Sequence, residues 1–565
     1  MTRYDLFTFF LPWYTFLGDR LRDLAVPGWN PHLFSGTPFA GDPESGWMYL
    51  PAMLGFALLP AVAAFKSMVA LQLAVAGLST YAFTRVLGMG PLASLLAATL
   101  YVTGPLLHWN TYCCLVFAEF ATWIPLALLG VELAVRASGW RTRLAGWFLG
   151  GLAVSQMFAG WVGEGWLYAV LLPAAYAGYR ALLSSPRPGL SLPARLLSGA
   201  ATAILVPGLG MALGAAGILP RLAVNAEMNL AGGDYSRLGA AGVLNPPWQL
   251  DYLLVQVLGL GTGYHFRAAS LGGVAVVLSL LALPLARERF AVPFFAALTL
   301  VSLTLTLESS PLLPLFSLIP RFRAFHDHDA WRVIALAAFG PAVLSGAALE
   351  ALPAWRGRRS LLSIVVAPLL LLAIAAVVLA RLGAVLGWPP LIAAAVTTVL
   401  VALLVAAPVG RPRDGQSRWM LRAVPVLVLA VAIIQPAGME LTGSWLGWPH
   451  SAAWERRWTP EPGSEAALVR ETSRSDPEGA GAFLQQALAT SEPFRYVGYG
   501  GVGYPGDEAR RENYMARRYD PHVQAILANG RPIFLGLDDI QGYNPLQLSR
   551  YVEFMAALNG APQDY

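Results

Sequence analysis

Long apolar runs alternate with short polar breaks up to about residue 440. A helix needs about 20 apolar residues to cross a bilayer. The pattern predicts about twelve such helices, at residues 66–87, 90–107, 115–135, 144–160, 164–183, 196–218, 268–286, 290–307, 332–350, 361–381, 389–408 and 419–437. Arginine follows every odd-numbered run: Arg85; Arg136, Arg141 and Arg143; Arg180, Arg187 and Arg195; Arg287 and Arg289; Arg356, Arg358 and Arg359; Arg411, Arg413, Arg418 and Arg422. Cytoplasmic loops collect such charge, so odd spans are expected to end inside. The segment before the first span, the loops at 219–267 and 308–331, and everything after about 438 are then outside.

The fold class expected is a polytopic all-α transmembrane protein with an extracytoplasmic α/β C-terminal domain. Residues 1–65 form a first outer loop, 66–440 the membrane domain, and 441–565 the outer domain. The first 51 residues are too polar to span a bilayer and too aromatic for water, which predicts helices lying along the membrane surface. Pro51 and Pro60 limit the apolar piece at 47–64 to a short interfacial helix. Parity starts the chain outside without a signal peptide, so a span is expected upstream of Met1, and the outer domain is expected to continue past Tyr565. Within that domain the pattern predicts helices near 464–490 and 508–528, an extended stretch at 494–504 and a strand at 531–537. A further helix is expected to open at Asn544 and Pro545.

Composition supports the membrane assignment: 56% of the 565 residues are hydrophobic and 13% are charged. The net charge of +5 sits in short loops rather than on one face or tail, which argues against nucleic-acid binding. Lys66 is the sole lysine. Cys113 and Cys114 are adjacent, a spacing that excludes a disulfide framework or a zinc site.

Candidate chemistry gathers outside. Glu119, Gln156 and Glu164 map to outer span ends, His108 lies just beyond its span, and few ionisable groups fall at the midplane, where an ion-coupled transporter would place them. Glu119 and Glu164 read as interfacial hydrogen-bonding groups. Asp5, Asp42 and Glu44 flank the two surface helices and read equally as helix caps or as site carboxylates. The stretch 319–333 places Arg321, Arg323 and Arg332 around His326, Asp327, His328 and Asp329. Three readings compete there: a phosphate or sugar clamp, a divalent metal site, or an ordinary solvated loop. On an extended strand His326 and His328 would point the same way, as a metal site requires. The loop from 220 to 267 offers Asn225, Glu227, Asn229, Asp234 and Arg237, with Trp248 and Tyr252 able to stack on a pyranose. A lid held by packing alone is the bland alternative.

Asp5 and Pro12, Pro27-Gly28-Trp29-Asn30-Pro31, Gly36-Thr37-Pro38, Asp42-Pro43, Tyr49-Leu50-Pro51, the stretches 123–132 and 332–350, and the tail's 539–546 (DIQGYNPL) together resemble the bacterial YfhO-like membrane proteins. The resemblance runs over the whole chain and is most specific in the first loop and the DIQGYNPL stretch. That family is related to GT-C-type glycosyltransferases, which use polyprenyl-phosphate sugars outside the membrane. The resemblance implies a multi-pass protein of the bacterial inner membrane that transfers a sugar from such a donor to a cell-envelope glycan or lipid. It implies a catalytic aspartate at Asp5, with Asp42 as second candidate, taking the acceptor's proton while arginines meet the charge of the leaving phosphate. A non-enzymatic translocator or assembly factor of the same fold is the competing class.

Overall fold

The computed structural model describes residues 9–111, 115–229, 247–258, 270–355, 388–406, 423–436, 479–497, 530–542 and 546–559, with a few single positions between them. The fold is overwhelmingly helical. Among the described residues the one sheet is an antiparallel pair of two-residue strands, β1 (Trp29–Asn30) and β2 (Thr37–Pro38). Among the described residues up to Val257 the helices are α1 (Leu11–Arg22), α2 (Leu50–Leu58), α3 (Ala61–Leu87), α4 (Pro91–Val102), α5 (Pro105–Asn110), α6 (Leu115–Arg136), α7 (Trp140–Gly160), α8 (Glu164–Leu182), α9 (Leu192–Leu213), α10 (Ala215–Asn225) and α11 (Leu250–Val257).

Among the described residues four helical segments are long and apolar enough to cross a membrane: Ala61–Leu87, Leu115–Arg136, Leu192–Leu213 and Ala330–Trp355. Leu115–Arg136 and Ala330–Trp355 are almost wholly enclosed, whereas Ala61–Leu87 and Leu192–Leu213 turn most of their apolar residues outward. Shorter apolar helices occupy Gly273–Ala286, Val292–Leu305, Pro390–Ala406 and Ala423–Pro436, within predicted spans. The run expected at 196–218 is broken at Gly214, where α9 gives way to α10. Most of the run expected at 361–381 lies outside the described residues.

Helix α1 is packed into the protein: Trp13, Tyr14 and Leu17 are completely buried. A helix apolar on all sides finds its minimum inside. Trp13 stacks on Phe39 at 5.2 Å, Phe16 packs on Phe39 at 4.9 Å, and Tyr14 meets Phe56 of α2 edge-on at 5.6 Å. Helix α2 is the short element expected, set off from α3 by Pro60.

The tail also departs from its expectation. Residues Arg531–Leu535 form a helix, not a strand; Pro532 opens it and Gly536, in the left-handed conformation (φ 66°), closes it. No sheet occurs among the described tail residues, where Tyr496 and Asp539 make a single parallel bridge. The helix predicted from Asn544 begins at Ser549, and the one predicted near 508–528 lies almost wholly outside the described residues. The tail laces onto the first loop. Phe34 and Ser35 donate backbone hydrogen bonds to Gln541 and Asp539, and Asp539 donates back to His32.

Candidate functional site

Polar groups gather where the first loop meets α6, the α7–α8 turn and α10. Asp42 is fully buried. Its Oδ1 accepts the Glu44 backbone N–H at 2.8 Å and its Oδ2 accepts Asn544 Nδ2 at 2.6 Å. Burial pushes its carboxyl up to about 6, against the opposing pull of those donors and of Arg221. Arg221, buried in the middle of α10, donates to the carbonyls of Asp42 at 3.4 Å and of Trp47, Phe158 and Ala159 at 3.2 Å. Desolvation draws its guanidinium down to about 10. Beside them Tyr14 Oη donates to Glu119 Oε1 at 2.8 Å, and Gln156 Oε1 accepts the Leu50 N–H at 2.8 Å. Asp42 therefore caps no helix. It closes a turn with Glu44 and ties that turn to the tail, with both carboxylate oxygens engaged.

A second cluster adjoins the first through the α7–α8 turn. Trp161 packs edge-on against Phe117 at 4.8 Å and Phe120 at 5.3 Å, both on α6. Phe117 also meets Trp331 at 5.4 Å, and Arg332 Cζ lies 5.9 Å from the Phe117 centroid. Arg332 Nε donates to Asp329 Oδ2 at 3.2 Å, with the aspartate buried. Glu164, the first residue of α8, is 4% exposed and lies within electrostatic reach of both Arg332 and Asp329. Trp248 stacks parallel to Trp331 at 6.5 Å and edge-on to Tyr252 at 5.2 Å. It is held by a backbone hydrogen bond from its N–H to Thr306 and one from Glu308 to its carbonyl.

Of the residues singled out from sequence, Arg332, Trp248 and Tyr252 thus share one aromatic wall, while Asp42 and Glu44 belong to the first cluster. Arg321 and Arg323 are exposed, and Arg323 pairs with Asp327 one helical turn on. His326 is buried and its ring stacks on Phe322 at 5.4 Å; burial lowers its pKa. The extended-strand premise for a metal site does not hold. Residues Phe322–His328 are helical, not extended. Among the described residues no group of three or more metal-ligating side chains converges.

Asp5, Cys113, Cys114, Asp234 and Arg237 lie outside the described residues. Glu227 and Asn229, offered above for sugar binding, bond the tail: the Glu227 carbonyl accepts the Ser549 N–H and Asn229 Oδ1 accepts the Gln547 N–H. Sequence reasoning missed Arg221 and Tyr14 as site-building residues. The sole signal for Arg221 is an arginine just past an apolar run, on the side that parity assigns outside. Comparison with family models, with curated proteins and with solved structures finds no match.

Proposed function

We propose that this chain transfers a sugar from a polyprenyl-phosphate donor to a glycan or lipid of the bacterial cell envelope, at the outer face of the inner membrane. The observation that carries this reading is the placement of Arg332, paired with buried Asp329, against Phe117, which meets Trp331 and through it Trp248, with Glu164 within electrostatic reach. Aromatic faces suit the C–H face of a pyranose, a guanidinium fork suits a phosphate, and carboxylates accept sugar hydroxyls. In this proposal the site sits at a lipid boundary, since Phe117 and Arg332 lie near the first residues of two helical segments long and apolar enough to cross a membrane. The first-loop carboxylates supply the base in this proposal. Asp5 is the first choice, since both oxygens of Asp42 are already engaged.

That engagement favours a second reading, a translocator or assembly factor in which Asp42 is a structural tie. The two separate in one experiment. Membranes containing the chain are given radiolabelled polyprenyl-phosphate hexoses and envelope extract, beside Asp5→Asn and Asp42→Asn variants at matched protein levels. Transfer by the unaltered chain that disappears in Asp5→Asn supports the enzyme; no transfer from any donor supports the translocator.

A further inference from the structure

The turn between α7 and α8 builds more than a corner. Gly163 sits at φ +80°, a conformation that side chains rarely adopt, and a Cβ there would meet the Phe325 ring at 3.4 Å. At Gly165 a Cβ would overlap the Trp161 side chain at 2.7 Å. The two rings therefore press against the chain on either side of Glu164. Tyr168, one helical turn along α8, is buried, interacts electrostatically with Glu164 and meets Trp161 at 5.8 Å. Glu164 is thus buried next to Tyr168, in a turn whose flanking glycines lie against the Trp161 and Phe325 rings. Among the described residues neither of its carboxylate oxygens has a hydrogen-bond partner.

A buried acceptor without a donor is costly, and two on one carboxylate are more so. Placement in the first turn of a helix eases the charge but leaves both oxygens unmatched among the described residues. The surroundings supply aromatic faces and, through Arg332, a cation within electrostatic reach. What fits two adjacent acceptors flanked by rings is a pair of neighbouring hydroxyls on a flat, C–H-bearing ring.

We propose that Glu164, with Trp161, Tyr168 and Phe325, is a sugar subsite whose carboxylate accepts hydrogen bonds from two adjacent hydroxyls of a hexose. This rests on the reading of the chain as handling polyprenyl-phosphate sugars, and it assigns Glu164 to recognition of the sugar, leaving proton transfer to the first loop.

The test is calorimetric titration of the full chain in lipid nanodiscs. The probes are farnesyl phosphate, farnesyl-phosphate glucose, galactose and mannose, and single-deoxy analogues of whichever hexose binds tightest; transfer is measured in parallel. Glu164→Gln is expected to weaken that hexosyl probe about 10- to 100-fold while changing farnesyl phosphate less than about threefold. Two adjacent deoxy positions are expected to weaken binding to the unaltered chain but not to Glu164→Gln. Glu164→Asp, which keeps the carboxylate, is expected to retain the deoxy pattern at lower affinity and stands in should the glutamine variant fail to fold. Equal binding by Glu164→Gln, equal loss of sugar-free farnesyl phosphate, loss of the deoxy pattern in a folded Glu164→Asp, or no hexosyl preference in the unaltered chain overturns the subsite. Selective sugar binding without transfer would retain the subsite and remove the transferase reading; transfer with binding unaffected by Glu164→Gln would do the reverse.

Discussion

Asn544 Nδ2 donates a 2.6 Å hydrogen bond to Asp42 Oδ2 across 502 residues of sequence, joining the tail to the first loop at a fully buried point. Removing either partner strands the other. Asn544→Ala is expected to cost about 1–3 kcal/mol, because a buried carboxylate loses a donor that no water replaces. Asp42→Ala is expected to cost at least as much, since the Glu44 N–H is orphaned too. The check is thermal unfolding in detergent, with limited proteolysis of the tail. Equal melting of both variants and the parent chain would remove the tie as a source of stability.

The same aspartate sets a pH dependence. Folding raises its pKa from 3.8 to about 6. The protonated form is the one the fold favours, so its stabilising contribution is full below pH 3.8 and is lost as pH rises through about 6. A shift of about two units corresponds to about 3 kcal/mol. The stability of the parent chain relative to Asp42→Asn is expected to fall by that order between pH 4 and 7, read from chemical unfolding at each pH. A constant difference would contradict the buried environment of Asp42.

At the other end of α6, Glu132 is completely buried and receives three donors: Arg136 Nε at 2.6 Å, Arg180 at 2.8 Å and Tyr176 Oη at 2.8 Å. Glu132→Gln leaves the buried Arg180 without its countercharge and is expected to cost about 3–5 kcal/mol. Tyr176→Phe removes one hydrogen bond and is expected to cost about 1 kcal/mol. Melting temperatures of the two variants, ranked against the parent chain, test this order.

Helices were the legible part of this sequence, and the reason is visible at α6. An apolar run of bilayer length with arginine at its end admits one local solution, and the run expected at 115–135 matches Leu115–Arg136 almost residue for residue. At 531–537, Ile533 and Phe534 suggest a strand, but Pro532 and Gly536 punctuate a helix and decide the outcome. Charge pairing was less legible. Arg136 and Arg180 read as topology signals, yet both also neutralise Glu132, 4 and 48 residues away. The site depends on such distant meetings. Trp248 and Trp331 become neighbours through packing that no local spacing encodes, and the stretch at 322–328 is helical where an extended strand was expected.

Arg332 carries the last prediction. Its guanidinium pairs with buried Asp329 and lies against Phe117, so the charge is held in place before any ligand arrives. In the proposed transferase it meets the phosphate of the polyprenyl donor with paired hydrogen bonds, and lysine keeps the charge but not the fork. Arg332→Lys is expected to raise the KM for the polyprenyl-phosphate donor about tenfold with a smaller change in kcat, and Arg332→Ala to lose transfer altogether. Arg323→Ala is the control: Arg323 is exposed, pairs with Asp327, and lies outside the aromatic wall. The kinetics of the three variants at matched expression decide the matter. If Arg323→Ala harms transfer as much as Arg332→Ala, the arginines act as a diffuse positive surface; if Arg332 alone matters, the phosphate is held inside the wall of Phe117 and Trp331.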